Sequence, residues 1–270
     1  MSSMDITNLT KETFARLFAA GKRFDGRGLN DIRDFEITTG VSDKAEGSAR
    51  IKLGKTEVIV GVKLAPGEPY PDSRDKGNLT VSGDLLPLAS PRFEPGPPEF
   101  GAIELPRLVD RAIRESKMID LGKLTMTNGK VWTVFVDIYP LNDDGNLIDA
   151  ASLGAIVALS EAKVPELNEL GNVDHDVKPK KKLPISDEIA PISFSFFKLG
   201  DSIVMDPTRE EEEACDARVT FGLSKKGKQY LINSCQKAGK EIFTQEEVDK
   251  IMDILPKKFD EVNEKLKKFL

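Results

Sequence analysis

Residues 131–159 read VWTVFVDIYPLNDDGNLIDAASLGAIVAL. The run from Val131 to Leu141, with Trp132, Val134, Phe135, Val136 and Ile138, has the composition of a strand buried on both faces. It leads into an acidic, glycine-containing turn, Asn142-Asp143-Asp144-Gly145-Asn146, and the turn opens onto an apolar helix over 147–163. Strand, turn and helix N-terminus in this order form the frame of a phosphate-binding loop, because the first helical turn presents unpaired N–H groups to an anion. The turn residues conflict with that frame. No lysine or arginine occurs between Lys130 and Lys163, so the backbone would attract an anion that the two aspartates repel.

Upstream, Leu124–Thr127 and 131–141 are predicted to pair as a hairpin across Asn128-Gly129. A helix is predicted over 102–117, with Pro106 in an early turn. Before it, residues 65–101 hold eight prolines, interrupted by a predicted strand over 78–85. Such a long irregular segment in a compact domain is typically a functional or interface loop. Earlier strands are predicted over 35–41, 47–53 and 57–64, the last two joined at Gly54-Lys55-Thr56. An amphipathic helix over 8–20 stops at Gly21. Downstream, 165–190 is a polar connection containing His175 and Lys180-Lys181-Lys182, all read as solvated, with contact to a polyanion an alternative for the lysines. Strands follow over 192–198, 202–205, 215–223 and 228–234. The terminal helix starts at Thr244 with Glu247 three residues on, a capping box, and Pro256 is expected to kink it. Helices facing sheets give an α/β or α+β class in two halves, 1–190 and 191–270.

With 270 residues, 39% of them hydrophobic and 31% charged, the chain can bury a sizeable core. No apolar run reaches the ~20 residues that span a bilayer. The start, Met1 to Asp5, shows no secretory pattern, so a cytoplasmic place and reduced, buried Cys215 and Cys235 are expected. A net charge of −6 argues against a uniformly basic nucleic-acid binder and leaves room for a local basic strip. Arg107, Arg111 and Arg114 are such a strip, at i, i+4 and i+7 on one helix face. They are either a solvated face paired with Glu104, Asp110 and Glu115 or contacts to an RNA backbone. No metal, cofactor or catalytic residue is assigned.

From Arg23-Phe24-Asp25-Gly26-Arg27 onward the chain resembles the RNase PH family. The pattern continues through EGSARIKLGKTEVIVGVK at 46–63, LLPLASP at 85–91, FEPGPP at 93–98, the helix at 105–117, the 132–159 stretch, and 192–236. In detail it looks most like the non-catalytic RNase PH-type subunit of the archaeal exosome ring. The resemblance implies an RNase PH-like fold and a setting in which inorganic phosphate attacks the 3′ end of RNA. It implies as partners a catalytic RNase PH-type subunit, paired as a heterodimer in a ring of three such pairs, RNA-binding cap proteins and single-stranded RNA. Active relatives carry a Gly-Gly-(Ser/Thr)-Arg turn where this chain has 142–146; the arginine falls near Asp143, Asp144 and Gly145 and is absent. Two carboxylates there would each oppose a phosphate by roughly 3 kcal/mol at ~5 Å and an effective dielectric of ~20. Asp206, Glu212 and Asp216 match the family's acid positions. They are either remnants of chemistry or, with Glu210–Glu213, a turn cap and a solvated acidic surface. Arg23 and Arg27 are read as a structural charged turn bonded to Asp25 and nearby carbonyls. The expected role is to help order a partner's active site and to contact RNA during 3′-to-5′ degradation; the alternative is a self-sufficient phosphorolytic exoribonuclease.

Overall fold

A computed structural model describes residues 7–126, 129–174, 176–186 and 190–270. The readings placed on Met1–Asp5, Asn128 and His175 lie outside the described residues. Helix α1 (Asn8–Ala19) precedes strands β1 (Phe35–Thr39), β2 (Gly47–Leu53), β3 (Thr56–Gly67) and β4 (Asn78–Gly83). Helix α2 (Phe100–Ser116) then crosses to β5 (Val131–Asn142), and α3 (Leu147–Glu161) follows. A two-stranded ribbon, β6 (Lys163–Val164) with β7 (Lys181–Lys182), leads to β8 (Ile192–Leu199), β9 (Ser202–Met205), α4 (Arg209–Ala214), β10 (Ala217–Lys226), β11 (Gln229–Gly239) and α5 (Gln245–Leu266).

The first sheet has the order β1-β2-β3-β5-β4, antiparallel except for β4 beside β5, where α2 supplies the crossover that a parallel pair needs. The β2–β3 hairpin closes at Gly54, whose φ of +57° suits a two-residue turn. The second sheet, β11-β10-β8-β9, is antiparallel. Between the sheets lies α3, buried from Ile148 through Ser160 and packed on β2, β3 and β8. An almost wholly apolar helix is what a two-sided burial demands. All eight residues of β8 are buried, since α5 covers it as well. Helix α2 packs on β4, α3, β10 and β11, and α1 packs on β9 and α4. One hydrophobic core therefore runs through both sheets.

Three local expectations are corrected. Leu124 ends a 3-10 turn, Leu121–Leu124, and the described part of 124–127 makes only a single bridge, Thr125 to Val131. Residues 209–214 are a helix with a Thr208–Glu211 capping box, where the sequence reads as a turn cap and a solvated acidic surface over Glu210–Glu213. Cys235 is exposed on β11 and is not a core thiol. The capping box at Thr244 and the buried series Ile251, Leu255, Phe259, Val262 and Leu266 agree with the sequence, and α5 continues through Pro256.

The seat of α3 on the first sheet depends on Gly47: a Cβ there would lie 2.2 Å from the Ala158 carbonyl oxygen and 2.8 Å from Ala162 Cα. Both obstacles are backbone and cannot rotate away. Gly47→Ala is expected to lose about 3 kcal/mol in urea unfolding, the upper end for over-packing. Gly61→Ala, whose added Cβ meets nothing closer than Ala45 Cβ at 3.9 Å, should change stability by less than ~1 kcal/mol. Equal effects would refute this packing.

Candidate functional site: a self-filled anion turn beside an arginine face

The four N–H groups of the turn after β5, from Asp143 to Asn146, are all bonded within the chain, while the start of α3 carries no side-chain cap. The Asp143 N–H donates to the Ala89 carbonyl at 2.9 Å and the Asp144 N–H to Thr56 Oγ1 at 3.2 Å. The Gly145 N–H donates to Asp143 Oδ1 at 3.1 Å and the Asn146 N–H to Glu212 Oε2 at 2.7 Å. Two of the four acceptors are carboxylates, so the chain supplies its own anions. Gly145, at φ +83°, is pressed against α4: a Cβ there would stand 2.6 Å from the Pro207 carbonyl oxygen and 2.7 Å from the Arg209 nitrogen. Asn146 is also left-handed, and its Nδ2 donates to Asp149 Oδ2 at 3.0 Å and Asp206 Oδ1 at 2.9 Å.

Arg33 holds this arrangement. Its Nε and Nη2 take Asp206 Oδ2 and Oδ1 at 2.9 and 2.7 Å, and its own N–H takes Asp206 Oδ2 at 2.7 Å. The same guanidinium reaches the carbonyls of Asp144 at 2.9 Å, Gly145 at 3.1 Å and Pro207 at 3.3 Å. Arg27 Nη1 adds a bond to Asp206 Oδ2 at 3.0 Å while its Nε bonds Asp25 at 2.7 Å. Arg23, fully buried, pairs with Glu211 and donates to the Met205 and Asp206 carbonyls. Arg92 ion-pairs with Asp143 and Glu213. The solvated acidic surface expected over Glu210–Glu213 is thus corrected: Glu211 is buried, Glu212 caps the turn and Glu213 meets Arg92. Asp206 is likewise no simple turn cap but a buried carboxylate at φ +45°. Asp216 stands apart from them and pairs with Lys11 of α1. The aspartates of the turn are balanced by Arg92 and Arg33, so their charge alone repels a phosphate less than the sequence implied.

Burial would raise the Asp206 carboxyl, but the Arg33 bonds and charge outweigh it and bring it below the ordinary range. Burial raises Glu212, the Asn146 N–H opposes that, and Asp143 raises it further. Asp149, buried at the start of α3, is pushed up to about 7 by desolvation despite bonds from Ser195 and Asn146. Its Oδ2 accepts the Ser195 N–H at 3.0 Å, and its Oδ1 meets Ser195 Oγ at 2.8 Å, which lies 2.9 Å from Thr220 Oγ1. This network ties the first half to the second sheet.

On α2, Arg107 and Arg111 are exposed and unpaired among the described residues. Arg114 is held by Asp110 and by the Leu79 carbonyl at 2.9 Å. The three arginines line one open depression of about 330 Å³ with Val81, Asp110 and Glu115. Glu104, expected as a partner of this face, pairs with Arg218 instead. A larger cavity of about 740 Å³ lies between the proline-rich loop and the starts of α2 and α3. Its six carboxylates (Asp84, Glu94, Glu99, Glu104, Asp143, Glu212) outnumber Arg92 and Arg218, so it does not suit a polyanion. Among the described residues no group of three or more His, Cys, Asp or Glu is placed to hold a metal ion.

Sequence reasoning missed Arg33, Thr56 and Asp149. Asp149 carried a signal, being the one charged residue between Leu147 and Ser160 of an apolar helix. Arg33 carried none: it is one more charge in a charged loop.

Residues 31–165 match the 3′ exoribonuclease family, domain 1, and residues 190–254 match its domain 2. The chain is 43% identical to the exosome complex component Rrp42 of Thermococcus kodakarensis, covering 99% of this chain and 98% of that protein. It is 46% identical to that of Archaeoglobus fulgidus over 86% of each. A chain in the solved Archaeoglobus fulgidus exosome with RNA bound to the active site superposes with a TM-score of 0.87 at 42% identity, covering 96% of this chain and 98% of that one. A chain of an archaeal exosome core superposes with a TM-score of 0.78 at 39% identity, covering 92% of each.

The raised Asp149 carboxyl has a stability consequence. An acid whose folded pKa lies above its unfolded value of ~3.9 makes the folded state bind more protons, so its contribution is greatest below pH ~4 and is lost as pH rises to about 7. Asparagine can keep the network: Oδ1 accepts both N–H groups, and Nδ2 donates to Ser195 Oγ, which turns its hydrogen to Thr220. Asp149→Asn should therefore gain on wild type in urea unfolding as pH rises from about 4 to about 7, by up to ~1.4 kcal/mol per pH unit in the steep range. A difference independent of pH would refute the assignment.

Proposed function

The chain belongs to the RNase PH family of 3′ exoribonucleases, and from that premise we propose that it is an exosome ring subunit that keeps the family fold without a working phosphate site. The observation that carries this is the self-filled turn. Phosphorolysis needs donors free to take inorganic phosphate beside the 3′ end and a permanently charged fork to hold it. Here the N–H groups of the turn, Asp143 to Asn146, are taken by the chain itself, and Arg33 and Arg92 are spent on aspartates. Asp206, which an active relative would use as an acid, is locked in an ion pair and held ionised, so it has no proton to give a leaving 3′ oxygen.

In this reading the two matched regions form two units of one ring subunit, near 1–190 and 191–270. The subunit pairs with a catalytic RNase PH-type chain, alternates with it in a six-membered ring that carries RNA-binding cap proteins, and helps order the partner's site. No described helix is long and apolar enough to cross a membrane, and cytoplasmic RNA decay is the proposed setting. Arg107 and Arg111 contact the phosphates of single-stranded RNA without reading its bases. Arg114, already bonded to Asp110, serves mainly to position that face.

Incubation with poly(A) and inorganic phosphate tests the first part. The chain alone should release no ADP, and a catalytic partner should release it faster with this chain than without it. ADP from the chain alone would sink the non-catalytic reading; a partner indifferent to the chain would sink the supporting role. For the arginine face, Arg107→Ala with Arg111→Ala should weaken RNA binding and flatten its dependence on salt by about 1.4 in log–log slope, ~0.7 for each single-strand phosphate contact. Unchanged binding would remove these residues from the RNA path.

A further inference from the structure

Away from these sites, unneutralised positive charge gathers on the β6–β7 ribbon. Lys163 stands directly opposite Lys182, Lys181 adjoins it, and Lys178 and Lys180 immediately precede it. All five are exposed, and among the described residues none has an ion pair. Like charges directly opposite on an antiparallel pair work against the pairing. Carboxylates are close in sequence, Glu161, Glu166, Asp174 and Asp176, and none of them bonds a ribbon lysine. In a chain of net charge −6, the densest run of lysines therefore has no ion pair among the described residues.

The ribbon is also held in place. The Lys163 N–H donates to the Glu46 carbonyl at 3.1 Å and the Leu183 N–H to the Ala162 carbonyl at 2.9 Å. The chain then runs along the C-terminal end of the arginine helix: the Asp120 N–H donates to the Pro184 carbonyl and the Ser186 N–H to the Met118 carbonyl, both at 2.8 Å. Lys117, exposed at the end of α2, stands next to this crossing. The segment that follows the ribbon thus reaches the C-terminal end of α2.

We propose that the β6–β7 ribbon is a second phosphate-contacting surface, which takes the backbone of single-stranded RNA long enough to extend past the α2 face. Lysine suits this role, since a flexible point charge follows a phosphate without fixing a base. The inference rests on the RNA reading of α2 only for the identity of the polyanion.

The test uses the full chain with Lys163→Gln, Lys181→Gln and Lys182→Gln combined, and anisotropy titrations of unstructured RNAs of about 8 nucleotides, within the span of one groove, and about 30 nucleotides. On the long RNA, the log–log salt slope should become shallower by about 2 for three lost contacts, and affinity at low salt should fall on the order of tenfold. On the short RNA, binding should not change. An unaltered slope and affinity on the long RNA would overturn the proposal. So would no measurable binding of that RNA by wild type, or an equal loss in a control with Lys240→Gln, Lys250→Gln and Lys257→Gln, which removes the same charge elsewhere. The Arg107→Ala, Arg111→Ala variant on the short RNA reports separately on the α2 face, so either surface can fail alone.

Discussion

The ion pair between Arg33 and Asp206 is the constraint on which the site depends. Asp206 is almost wholly buried, in a left-handed backbone conformation that L-residues seldom adopt. A carboxylate so placed forfeits several kcal/mol of hydration and survives only if its oxygens are filled. Five bonds fill them: three from Arg33, one from Arg27 and one from Asn146. Arg33 then uses its remaining donors on the carbonyls of Asp144, Gly145 and Pro207. One guanidinium thereby fixes the loop before β1, the turn between β5 and α3, and the junction between β9 and α4. The placement of α4 brings Glu212 onto the Asn146 N–H.

That chain of constraints changes what is missing from the turn. Positive charge is not scarce around it; Arg23, Arg27, Arg33 and Arg92 all converge there. Each is committed to a carboxylate of the chain itself. An anion entering the turn would have to displace Asp143 and Glu212 from the N–H groups, and displaced carboxylates held in a packed site are left poorly solvated. The turn is a structural joint between the two halves.

The fold was legible because its signals are periodic. Strands β2 and β3 alternate, α5 repeats every three or four residues behind a capping box, and α3 is apolar on all sides. The family motifs carried the rest. The short elements were read less well. Residues 209–214 look like a solvated acidic turn because Glu211 finds Arg23, 188 positions away in sequence. No local pattern reports such a pairing, and the same holds for Arg33 with Asp206 and Arg92 with Asp143. The turn stands out in the sequence by its two aspartates, and their partners do not: the sequence reveals a carboxylate and conceals its counter-ion.

An acidic protein can hold a polyanion only by sorting its charge in space. Exposed charges more than ~10 Å apart are largely screened at ~0.1 M salt, so the sign of the nearest surface decides, not the net charge. Here the carboxylates are drawn into the joint and into the cavity under the proline-rich loop, where arginines tie several of them down. Arg107 and Arg111 are left free on α2, and the ribbon lysines are left free around its far end. The joint neutralises its own charge in the interior. The cations left unpaired stand on the outer surface, on α2 and on the ribbon, where a ligand that brings its own negative charge can satisfy them.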